Sequence, residues 1–573
     1  MSSLNKKEDI SIVLCGAAGQ GIKTVEHLLT HVLHPAGYNV FSMKEYMSRV
    51  RGGTNSTEIR VCSKPVAAFI ERIDLLIPLN KSAIPHLQER ITKETIIIGE
   101  SENIGDLEQE CKIIKVPFSD IAQDIGNKIY FNVIAAGLIA ELFDIDREIV
   151  KDYLKERFGE KGEEILQKNY EALAKGYELG QEIEQNEGIK FKIAKDPSVK
   201  NEVIYNGAEI IGMGAIAGGC NFICSYPMSP STGVLVFLAQ HSKEFDIVVE
   251  QAEDEIAAIN AGLGAFYAGG RSMITTSGGG FSLMCEGLSL AGMTETPIVM
   301  HLAQRPGPAT GLPTRTEQGD LNLALYSGHG DFPRIILAPG RLEDGFYLAQ
   351  KAFNLADKYQ VPVIILTDQF FMDLYYNFEP IDLSDFKIES HIVETTKAYQ
   401  RYKWTDNGIS PRGIPGYGSG LIKADSDEHD QEGYITEDLH NVRINMVEKR
   451  LKKLAEITKN AIPPELVGEK DYEILLVGWG STYTAIKEAM EKMNRKEIAF
   501  LHFKQVYPLP KETIGYLNQA KKIIIIENNV TGQFAHLLHR EFNMKVEEQI
   551  LKFNGLPFSV EELVAKIKKI VED

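Results

Sequence analysis

Two polar segments follow apolar, strand-like runs and carry residues that could bind a carboxylate. In the first, NFICS precedes YPMSPST, and Ser229 stands between two prolines that fix φ angles in the turn. In the second, PIVMHLA precedes QRPGP, and Arg305 could donate two parallel hydrogen bonds to one carboxylate. Open α/β sheets bind ligands at the carboxyl ends of their strands, where both side chains are predicted to lie. Two alternatives stay open: Ser231 or Thr232 caps the next helix, and Arg305 forms a surface ion pair.

An acidic segment precedes an apolar helix of small residues. EQAEDE follows the strand-like run FDIVV and precedes IAAINAGLGAFYAG. Negative side chains at a helix start interact favourably with the helix dipole, which accounts for most of these carboxylates. One of them, held against the apolar helix, could instead form a hydrogen bond with a ring nitrogen of a cofactor.

Two glycine-rich turns indicate close approach of a backbone or a ligand. Gly278 and Gly279 lie in SGGGF, after the strand-like run MITT, and three consecutive glycines cost backbone entropy. Gly16, Gly19 and Gly21 lie in GAAGQG, between the strand ISIVLCG and the helical pattern IKTVEHLLTHVL. Small residues at a helix N-terminus can bind phosphate, but a tight strand-to-helix turn explains GAAGQG equally well. GAAGQG is neither a G-x-G-x-x-G nor a Walker A loop.

The elements that would carry these residues alternate between strands and helices. This order is typical of α/β proteins with parallel sheets, and 573 residues are too many for one core. We therefore predict a multi-domain chain of parallel-sheet layers. Its predicted parts are an α/β domain at 1–180, a linker at 181–201, an α/β domain at 202–378, a long irregular connection at 379–459 and an α/β domain at 460–573. The irregular connection is either a strap across domains or a functional loop.

Composition excludes several functional classes. The net charge of −19 argues against binding to nucleic acid or to an anionic membrane surface. No apolar run is long enough for a membrane span and no secretory signal is evident, so a cytoplasmic location is expected. The six cysteines lack the spacing of iron–sulfur or zinc ligands and are expected to be buried free thiols. The HExxH, GxSxG and CxxC motifs do not occur, and the acidic DSDEHD stretch is expected to be a solvated loop.

Together these segments resemble the 2-oxoacid:ferredoxin oxidoreductase family. YPMSPST is similar to that family's YPITPSS motif, and GAAGQG is similar to the GxGGQG of its gamma domain. The segments RVRGG at 49–53, QRPGPATGLPTRTEQGDL at 304–321, SPRGIPG at 410–416 and ENNVTGQ at 527–533 also match, in the family's order. The resemblance implies a gamma-then-alpha fusion with a gamma-type first domain, a thiamine-pyrimidine-binding second domain and a transketolase C-terminal-like third domain.

The resemblance also implies roles for individual residues. Glu253 matches the glutamate that hydrogen-bonds the aminopyrimidine ring of thiamine diphosphate and activates the cofactor, and Glu255 is the alternative. Ser229 matches a threonine that contacts the substrate carboxylate, and Arg305 matches the arginine that binds the same group. Tyr226 belongs to the same substrate-binding motif. Serine keeps the hydroxyl but loses the methyl group, so the rotamer of Ser229 is less constrained.

The same resemblance implies which cofactors and partners the chain needs. Gly278 and Gly279 would approach thiamine diphosphate, and Gly16, Gly19 and Gly21 would bind coenzyme A, although GAAGQG lacks the family's central Gly-Gly. The other half of the thiamine site, its Mg²⁺ and a [4Fe–4S] cluster are implied to lie on a beta subunit, so no metal is expected on this chain. A dimer of alpha–beta heterodimers that reduces ferredoxin is expected.

The implied reaction is the coenzyme-A-dependent oxidative decarboxylation of a 2-oxoacid, possible in both directions. The gamma–alpha fusion favours 2-oxoglutarate, which gives succinyl-CoA, but pyruvate, branched-chain 2-oxoacids and a broad range stay open. A thiamine enzyme that does not use ferredoxin, such as a transketolase, would lack the GAAGQG domain. A non-catalytic assembly or regulatory subunit is disfavoured because Ser229, Glu253 and Arg305 occur together.

Overall fold

The computed structural model describes residues 7–17, 20–47, 52–105, 110–384, 386–546 and 548–572. The chain divides into two compact units. The first comprises Met1–Tyr205 and Leu374–Ile381, and the second comprises Asn206–Asp373 and Asp382–Asp573. The predicted boundary at 378 therefore does not coincide with a boundary between the units, because a short segment after Asp373 returns to the first one.

The first unit is built on a mixed sheet. Asp9–Ala17 pairs parallel with Leu75–Pro78 but antiparallel with Thr54–Cys62. The sheet is thus parallel on one side and antiparallel on the other, whereas the sequence predicts parallel sheets throughout. Its described strands are, in spatial order, Lys112–Lys115, Ile96–Gly99, Leu75–Pro78, Asp9–Ala17, Thr54–Cys62, Asn39–Glu45, Tyr375–Phe378 and Val203–Asn206.

The strand Thr54–Cys62 is not evident in the sequence because its buried part contains charged residues. Glu58 and Arg60 are both buried. Arg90 lies 2.6 Å from the Glu58 carboxylate, and Arg60 lies 2.7 Å from the Asp9 carboxylate. These ion pairs offset the desolvation of charges that an isolated glutamate or arginine would suffer inside the fold.

Helices cover the first sheet and extend beyond the predicted domain boundary. The helix Phe131–Leu142 is buried on nearly every side, as its apolar sequence predicts. The helix Glu163–Glu187 continues past residue 181, where the sequence predicts the start of a linker. The helices of this unit are Ile22–Leu33, Ala83–Leu87, Ser101–Ile104, Phe118–Ile125, Phe131–Leu142, Arg147–Phe158 and Glu163–Glu187.

The second unit contains a seven-stranded sheet that is parallel except at one edge. Its described strands are, in spatial order, Gln505–Tyr507, Ile335–Leu337, Pro362–Asp368, Ile298–Gln304, Ser272–Thr276, Phe222–Ser225 and Val248–Gln251. Only Gln505–Tyr507, which comes from late in the chain, is antiparallel to its neighbour among these strands. The associated helices are Gly207–Ala217, Thr232–Gln240, Glu255–Tyr267, Gly278–Leu283, Cys285–Thr294, Leu321–Tyr326, Leu342–Tyr359 and Gln369–Asp373.

A second sheet in this unit forms the C-terminal layer, defined here as residues 460–573. Its described strands are, in spatial order, Glu465–Val467, Ile498–Phe503, Ile474–Trp479, Lys522–Glu527 and Glu548–Leu551. All neighbours pair parallel except Glu465–Val467. Its helices are Tyr483–Met493, Thr513–Gln519, Gln533–Phe542 and Val560–Glu572.

The long connection before this layer is fastened to the second unit by buried charges. It is largely irregular as far as residue 441 and ends in the helix Val442–Lys459. The Nζ atoms of Lys449 and Lys453 each lie 2.5 Å from a carboxylate oxygen of Glu295, and all three side chains are buried. Arg412, in the irregular part, pairs with Asp357. These ion pairs therefore hold the described part of the connection in a fixed position on the second unit.

Replacing Glu295, whose carboxylate binds both buried lysines, should strongly destabilise the protein. Glu295→Ala should lower the free energy of unfolding by about 3–5 kcal/mol, because two lysines are left buried without a counter-charge. Burial alone would raise the pKa of Glu295, but Lys449, Lys453 and Arg401 outweigh it and hold the pKa below its ordinary value. This stabilisation is therefore present at neutral pH and is lost as the pH falls below the ordinary carboxyl range. Urea unfolding at pH 7 measures this decrease in the free energy of unfolding. The control is Glu437→Ala, which changes an exposed carboxylate. Equal stability of the two variants would contradict the prediction.

Candidate functional site

Three neighbouring strands of the seven-stranded sheet end at one edge. They pair parallel to one another, so their carboxyl ends meet and the loops that follow them converge. These loops carry Ser229, Gly278 and Arg305. The three strands are Phe222–Ser225, Ser272–Thr276 and Ile298–Gln304.

Arg305 lies directly after its strand and connects two of these loops. Its Nη1 donates a hydrogen bond of 2.6 Å to the backbone carbonyl of Ser229. Its Nε is buried and makes no hydrogen bond within the described residues. Burial lowers the pKa of Arg305, but a guanidinium stays charged at physiological pH. The structure thus brings Arg305 and Ser229 together; the Ser229 side chain is exposed, as is Tyr226 on the same loop.

The turn that carries Ser229 is closed by its own residues. The hydroxyl of Ser231 donates a 2.7 Å hydrogen bond to the Met228 carbonyl, and the Ser231 N–H donates to the same oxygen at 2.9 Å. No side-chain cap is seen at the start of the helix Thr232–Gln240. Ser231 therefore tightens the turn instead of capping the helix.

The acidic segment places one carboxylate inside the fold and leaves another outside. Asp254 caps the helix Glu255–Tyr267 by accepting a 2.7 Å hydrogen bond from the Ala257 N–H. Because the cap lies at Asp254, Glu253 precedes the helix and is exposed. Glu255 begins the first turn, is 4% exposed, and its Oε1 has no hydrogen bond within the described residues. The geometry therefore favours Glu255 as the residue that binds the cofactor ring, whereas the motif resemblance favours Glu253.

Glycines make room for two carboxylates beside this edge. A Cβ at Gly280 would lie 2.6 Å from Glu255 Oε1, and a Cβ at Gly278 would lie 2.5 Å from Asp320 Oδ2. A Cβ at Gly279 would meet only the Ala309 carbonyl, at 3.8 Å. Gly278 thus accommodates a protein carboxylate, whereas Gly279 faces nearly open space.

Asp320 belongs to the same cluster, although it is not among the residues predicted from the sequence. Its Oδ2 is buried and has no hydrogen bond within the described residues. Its N–H donates a 2.9 Å hydrogen bond to Gln304 Oε1, next to Arg305 in the chain. Burial, with a smaller contribution from Glu317, raises the pKa of Asp320 to about 6, against the opposing effect of Arg305. Its position in the QGDL part of the 304–321 motif is the signal that could have identified it.

In the first unit, the glycine-rich turn is closed by a glutamine side chain. Gln20 Oε1 accepts a 2.6 Å hydrogen bond from the Ala17 N–H, and Gln20 Nε2 donates to the Leu79 carbonyl at 3.1 Å. A Cβ at Gly16 would lie 2.5 Å from Gln20 Oε1. A Cβ at this position would also lie 2.7 Å from Leu79 Cβ, so a larger residue would clash here.

The start of the following helix leaves a polar group without a partner. Gly21 has a φ of 78°, which favours glycine, and precedes the helix Ile22–Leu33. A Cβ there would lie 2.1 Å from Asn132 Nδ2, and Asn132 Oδ1 is buried without a hydrogen bond in the described chain. Both explanations of this turn, a tight connection and a phosphate site, remain compatible with the geometry. The predicted Gly19 and residues 49–51 of the RVRGG segment lie outside the described residues.

The described residues contain free cysteine thiols and no clustered metal ligands. All six cysteines are free, and four of them are buried, whereas Cys111 and Cys285 are half-buried. The described residues contain no group of three or more His, Cys, Asp or Glu side chains that could hold a metal ion. None of the described helices is long and apolar enough to cross a membrane.

Comparisons with known proteins support a family assignment over the whole chain. Residues 213–449 match the family model described as pyruvate flavodoxin/ferredoxin oxidoreductase, thiamine diphosphate-binding, and residues 11–179 match pyruvate ferredoxin/flavodoxin oxidoreductase. The chain is 31% identical to a 2-oxoacid:ferredoxin oxidoreductase subunit alpha from a Sulfolobus species, covering 98% of this chain and 97% of the relative. It is 28% identical to a 2-oxoglutarate oxidoreductase subunit of Mycobacterium tuberculosis, covering 97% and 90%.

A solved structure agrees with these sequence matches. The 2-oxoglutarate:ferredoxin oxidoreductase from Magnetococcus marinus, with 2-oxoglutarate, coenzyme A and succinyl-CoA bound, superposes with a TM-score of 0.92. The two chains are 31% identical, and the match covers 98% of this chain and all of the other. The predicted fold class of α/β layers is confirmed. The chain therefore belongs to the family of 2-oxoacid:ferredoxin oxidoreductase alpha subunits and is an oxidoreductase subunit with a thiamine-diphosphate-binding domain.

Proposed function

We propose that this chain supplies the substrate-binding and pyrimidine-binding half of a thiamine diphosphate site. With a beta subunit it converts a 2-oxoacid and coenzyme A to an acyl-CoA and carbon dioxide, and it reduces ferredoxin. The observation that carries this proposal is the convergence of three buried, unpaired groups at one sheet edge: Glu255 Oε1, Arg305 Nε and Asp320 Oδ2. Buried polar atoms without partners are costly, so such a cluster indicates a ligand that completes them.

The surroundings of Glu255 fit an aminopyrimidine ring. Its carboxylate is buried, one oxygen is unpaired, and Gly280 leaves the space beside that oxygen free of a side chain. Glu255 would hold a proton on the ring nitrogen through Oε1. Bound thiamine diphosphate supplies the electron sink that decarboxylation requires. The exposure of Glu253 supports Glu255 as the residue with this role.

Arg305 and Ser229 are proposed to bind the substrate carboxylate. The hydrogen bond from Arg305 Nη1 to the Ser229 carbonyl orients the guanidinium, and the unpaired Nε remains available. The exposed hydroxyl of Ser229 lies on the same turn and would donate a further hydrogen bond, with Tyr226 beside it. A charge-assisted contact of this kind fixes the orientation of the 2-oxoacid until carbon dioxide leaves.

A second subunit is proposed to complete the site. The elements and loops that carry the site also carry large apolar side chains that are exposed, and a partner subunit would cover them. These residues are Tyr226, Val248, Ile256, Leu283 and Leu312, each at least 41% exposed. We infer that a beta subunit covers them and brings the pyrophosphate-binding half, Mg²⁺ and the [4Fe–4S] cluster. A dimer of such heterodimers in the reducing cytoplasm suits six free thiols.

Membership of the family supports a proposed domain assignment and a proposed substrate. We propose residues 1–180 as the gamma domain, 202–378 as the pyrimidine-binding domain and 460–573 as the transketolase C-terminal-like domain, joined by 181–201 and 379–459. The helix Glu163–Glu187 extends into the first connection, and the strand Tyr375–Phe378 pairs in the sheet of the first unit. Gly16, Gly19 and Gly21 are proposed to contact coenzyme A, supported by the unpaired Oδ1 of Asn132 beside Gly21. The substrate is proposed to be 2-oxoglutarate, because two of the relatives described above are named for it.

The proposed function predicts activity only in the assembled complex. The chain co-expressed with its beta subunit should reduce a low-potential dye in a coenzyme-A-dependent manner, fastest with 2-oxoglutarate. Pyruvate, branched-chain 2-oxoacids and indolepyruvate are tested one at a time as alternative substrates in the same assay. The chain alone should be colourless and inactive, because the cluster and the second half of the site are missing. A brown, active single chain, or a complex inactive with every 2-oxoacid, would contradict the proposal.

A further inference from the structure

Asp320 is held by a loop that depends on contacts from far along the chain. Its carboxylate faces Gly278 and Arg305, and its Oδ2 has no hydrogen bond in the described part of the chain. The loop before it, from residue 305 to residue 320, contains no helix or strand. Something other than local secondary structure must therefore fix the position of Asp320.

Gln533, in the C-terminal layer, binds the backbone on both sides of Asp320. Its Nε2 donates a 2.8 Å hydrogen bond to the Gly319 carbonyl, and its Oε1 accepts a 2.8 Å hydrogen bond from the Asn322 N–H. Gln533 is buried, with 9% of the residue exposed. One amide thus binds the carbonyl of the residue before Asp320 and the N–H of the second residue after it.

A second set of bonds holds the preceding residues to the same layer. Gln318 and Asn528 exchange two hydrogen bonds: the Gln318 N–H donates to the Asn528 carbonyl at 2.7 Å, and the Asn528 N–H donates to Gln318 Oε1 at 3.0 Å. Gln318 Nε2 also donates to the Trp479 carbonyl at 2.8 Å. The Thr316 N–H donates to the Gly555 carbonyl at 3.1 Å.

The turn that makes these contacts is itself rigid. The buried carboxylate of Glu527 accepts hydrogen bonds from the Phe534 and Ala535 N–H groups at 2.9 Å and 3.0 Å. Asn529 Oδ1 accepts from the Gly532 N–H at 2.8 Å. The turn at 527–533 is therefore fixed at the start of the helix Gln533–Phe542, and it can hold the loop in one conformation.

We propose that the turn 527–533 is a positioning device for the reaction, and that Gln533 is the positioning residue that holds Asp320 beside Arg305 at the substrate end of the site. This inference rests on the proposed function. Asp320 provides a carboxylate next to the guanidinium that receives the substrate, so a displaced loop alters both the charge and the orientation of Arg305. The charged groups that face Asp320 are Arg305 from the strand end and Glu317 from its own loop. The C-terminal layer thus contributes to substrate binding without touching the substrate.

The test uses the assembled complex with Gln533→Met, which keeps the length of the side chain but removes both hydrogen bonds. We expect kcat/KM for the 2-oxoacid to fall roughly tenfold, since two buried hydrogen bonds are lost. We also expect the acidic limb of the pH profile of kcat/KM to move to lower pH, because a looser loop admits water to Asp320. Asp320→Asn should remove that limb, and Gln533→Met should then cause no further shift.

Two further variants separate positioning from folding. Gln533→Glu keeps the acceptor for the Asn322 N–H and should retain more activity than Gln533→Met. His536→Gln, on the exposed side of the same helix, is the matched control and should leave kcat/KM unchanged. If Gln533→Met lowers only the melting temperature and leaves kcat/KM and the pH profile unchanged, the positioning role is wrong. Failure of the proposed function would appear instead as an unmutated complex that is inactive with every 2-oxoacid.

Discussion

Glu255→Gln should reduce kcat of the assembled complex by roughly 10²–10⁴-fold, the range lost when a positioned proton-transfer group is removed. Glutamine has the same shape and is uncharged, so the buried site should accept it without loss of stability. It cannot hold the proton on the ring nitrogen as a carboxylate does, and the cofactor would remain bound but inactive. Steady-state kinetics and calorimetric titration of thiamine diphosphate measure these two effects separately.

The matched control for this variant lies two residues earlier in the chain. Glu253→Gln changes an exposed carboxylate and should alter kcat by no more than about twofold, as for a typical surface substitution. If Glu255→Gln has normal activity and Glu253→Gln is inactive, Glu253 is the residue that activates the cofactor ring. Normal turnover in both variants would exclude either carboxylate as the activating group.

Arg305→Ala should reduce kcat/KM for the 2-oxoacid by roughly 30- to 5,000-fold, because truncating one partner of a buried charge pair costs about 2–5 kcal/mol. The loss should appear mainly in KM if Arg305 binds the substrate equally in the ground state and the transition state. The variant also removes the hydrogen bond to the Ser229 carbonyl, so the turn at Ser229 should become less ordered.

Arg305→Lys distinguishes charge from geometry at this position. Lysine keeps the positive charge but lacks the planar fork that binds a carboxylate with two hydrogen bonds. An intermediate kcat/KM is therefore expected. Ser229→Ala should cost less than either arginine variant, since one hydroxyl hydrogen bond is lost. If Arg305→Ala has the same KM as the unmutated complex, the carboxylate of the substrate is bound elsewhere.

The sequence predicts the position of the site better than the identity of every residue in it. Ser229 and Arg305 follow apolar strands, and parallel strands bring their carboxyl ends together, so their proximity follows from the pattern alone. The choice between Glu253 and Glu255 depends on where the helix begins. That point is set by the cap at Asp254, which a segment rich in carboxylates does not reveal without coordinates.

Other features have no local signal in the sequence. Gln318 and Gln533 are polar residues in two motifs far apart in the chain, and nothing in either motif indicates that both hold the same loop. The strand Thr54–Cys62 is not predicted from the sequence because it contains the charged residues Glu58 and Arg60. Both are buried, and residues elsewhere in the chain neutralise their charges. In both cases the deciding interaction is long-range, which patterns of hydrophobic residues do not encode.

The late strand Gln505–Tyr507 also has a consequence for biosynthesis. It completes one edge of the seven-stranded sheet by pairing with Ile335–Leu337, which leaves the ribosome roughly 170 residues earlier. At the usual speed of translation, the growing chain keeps that edge unpaired for roughly 10 to 30 s. An unpaired strand edge is a template for aggregation. Nascent chains of this protein should therefore depend on chaperones until translation has reached roughly the last eighth of the message.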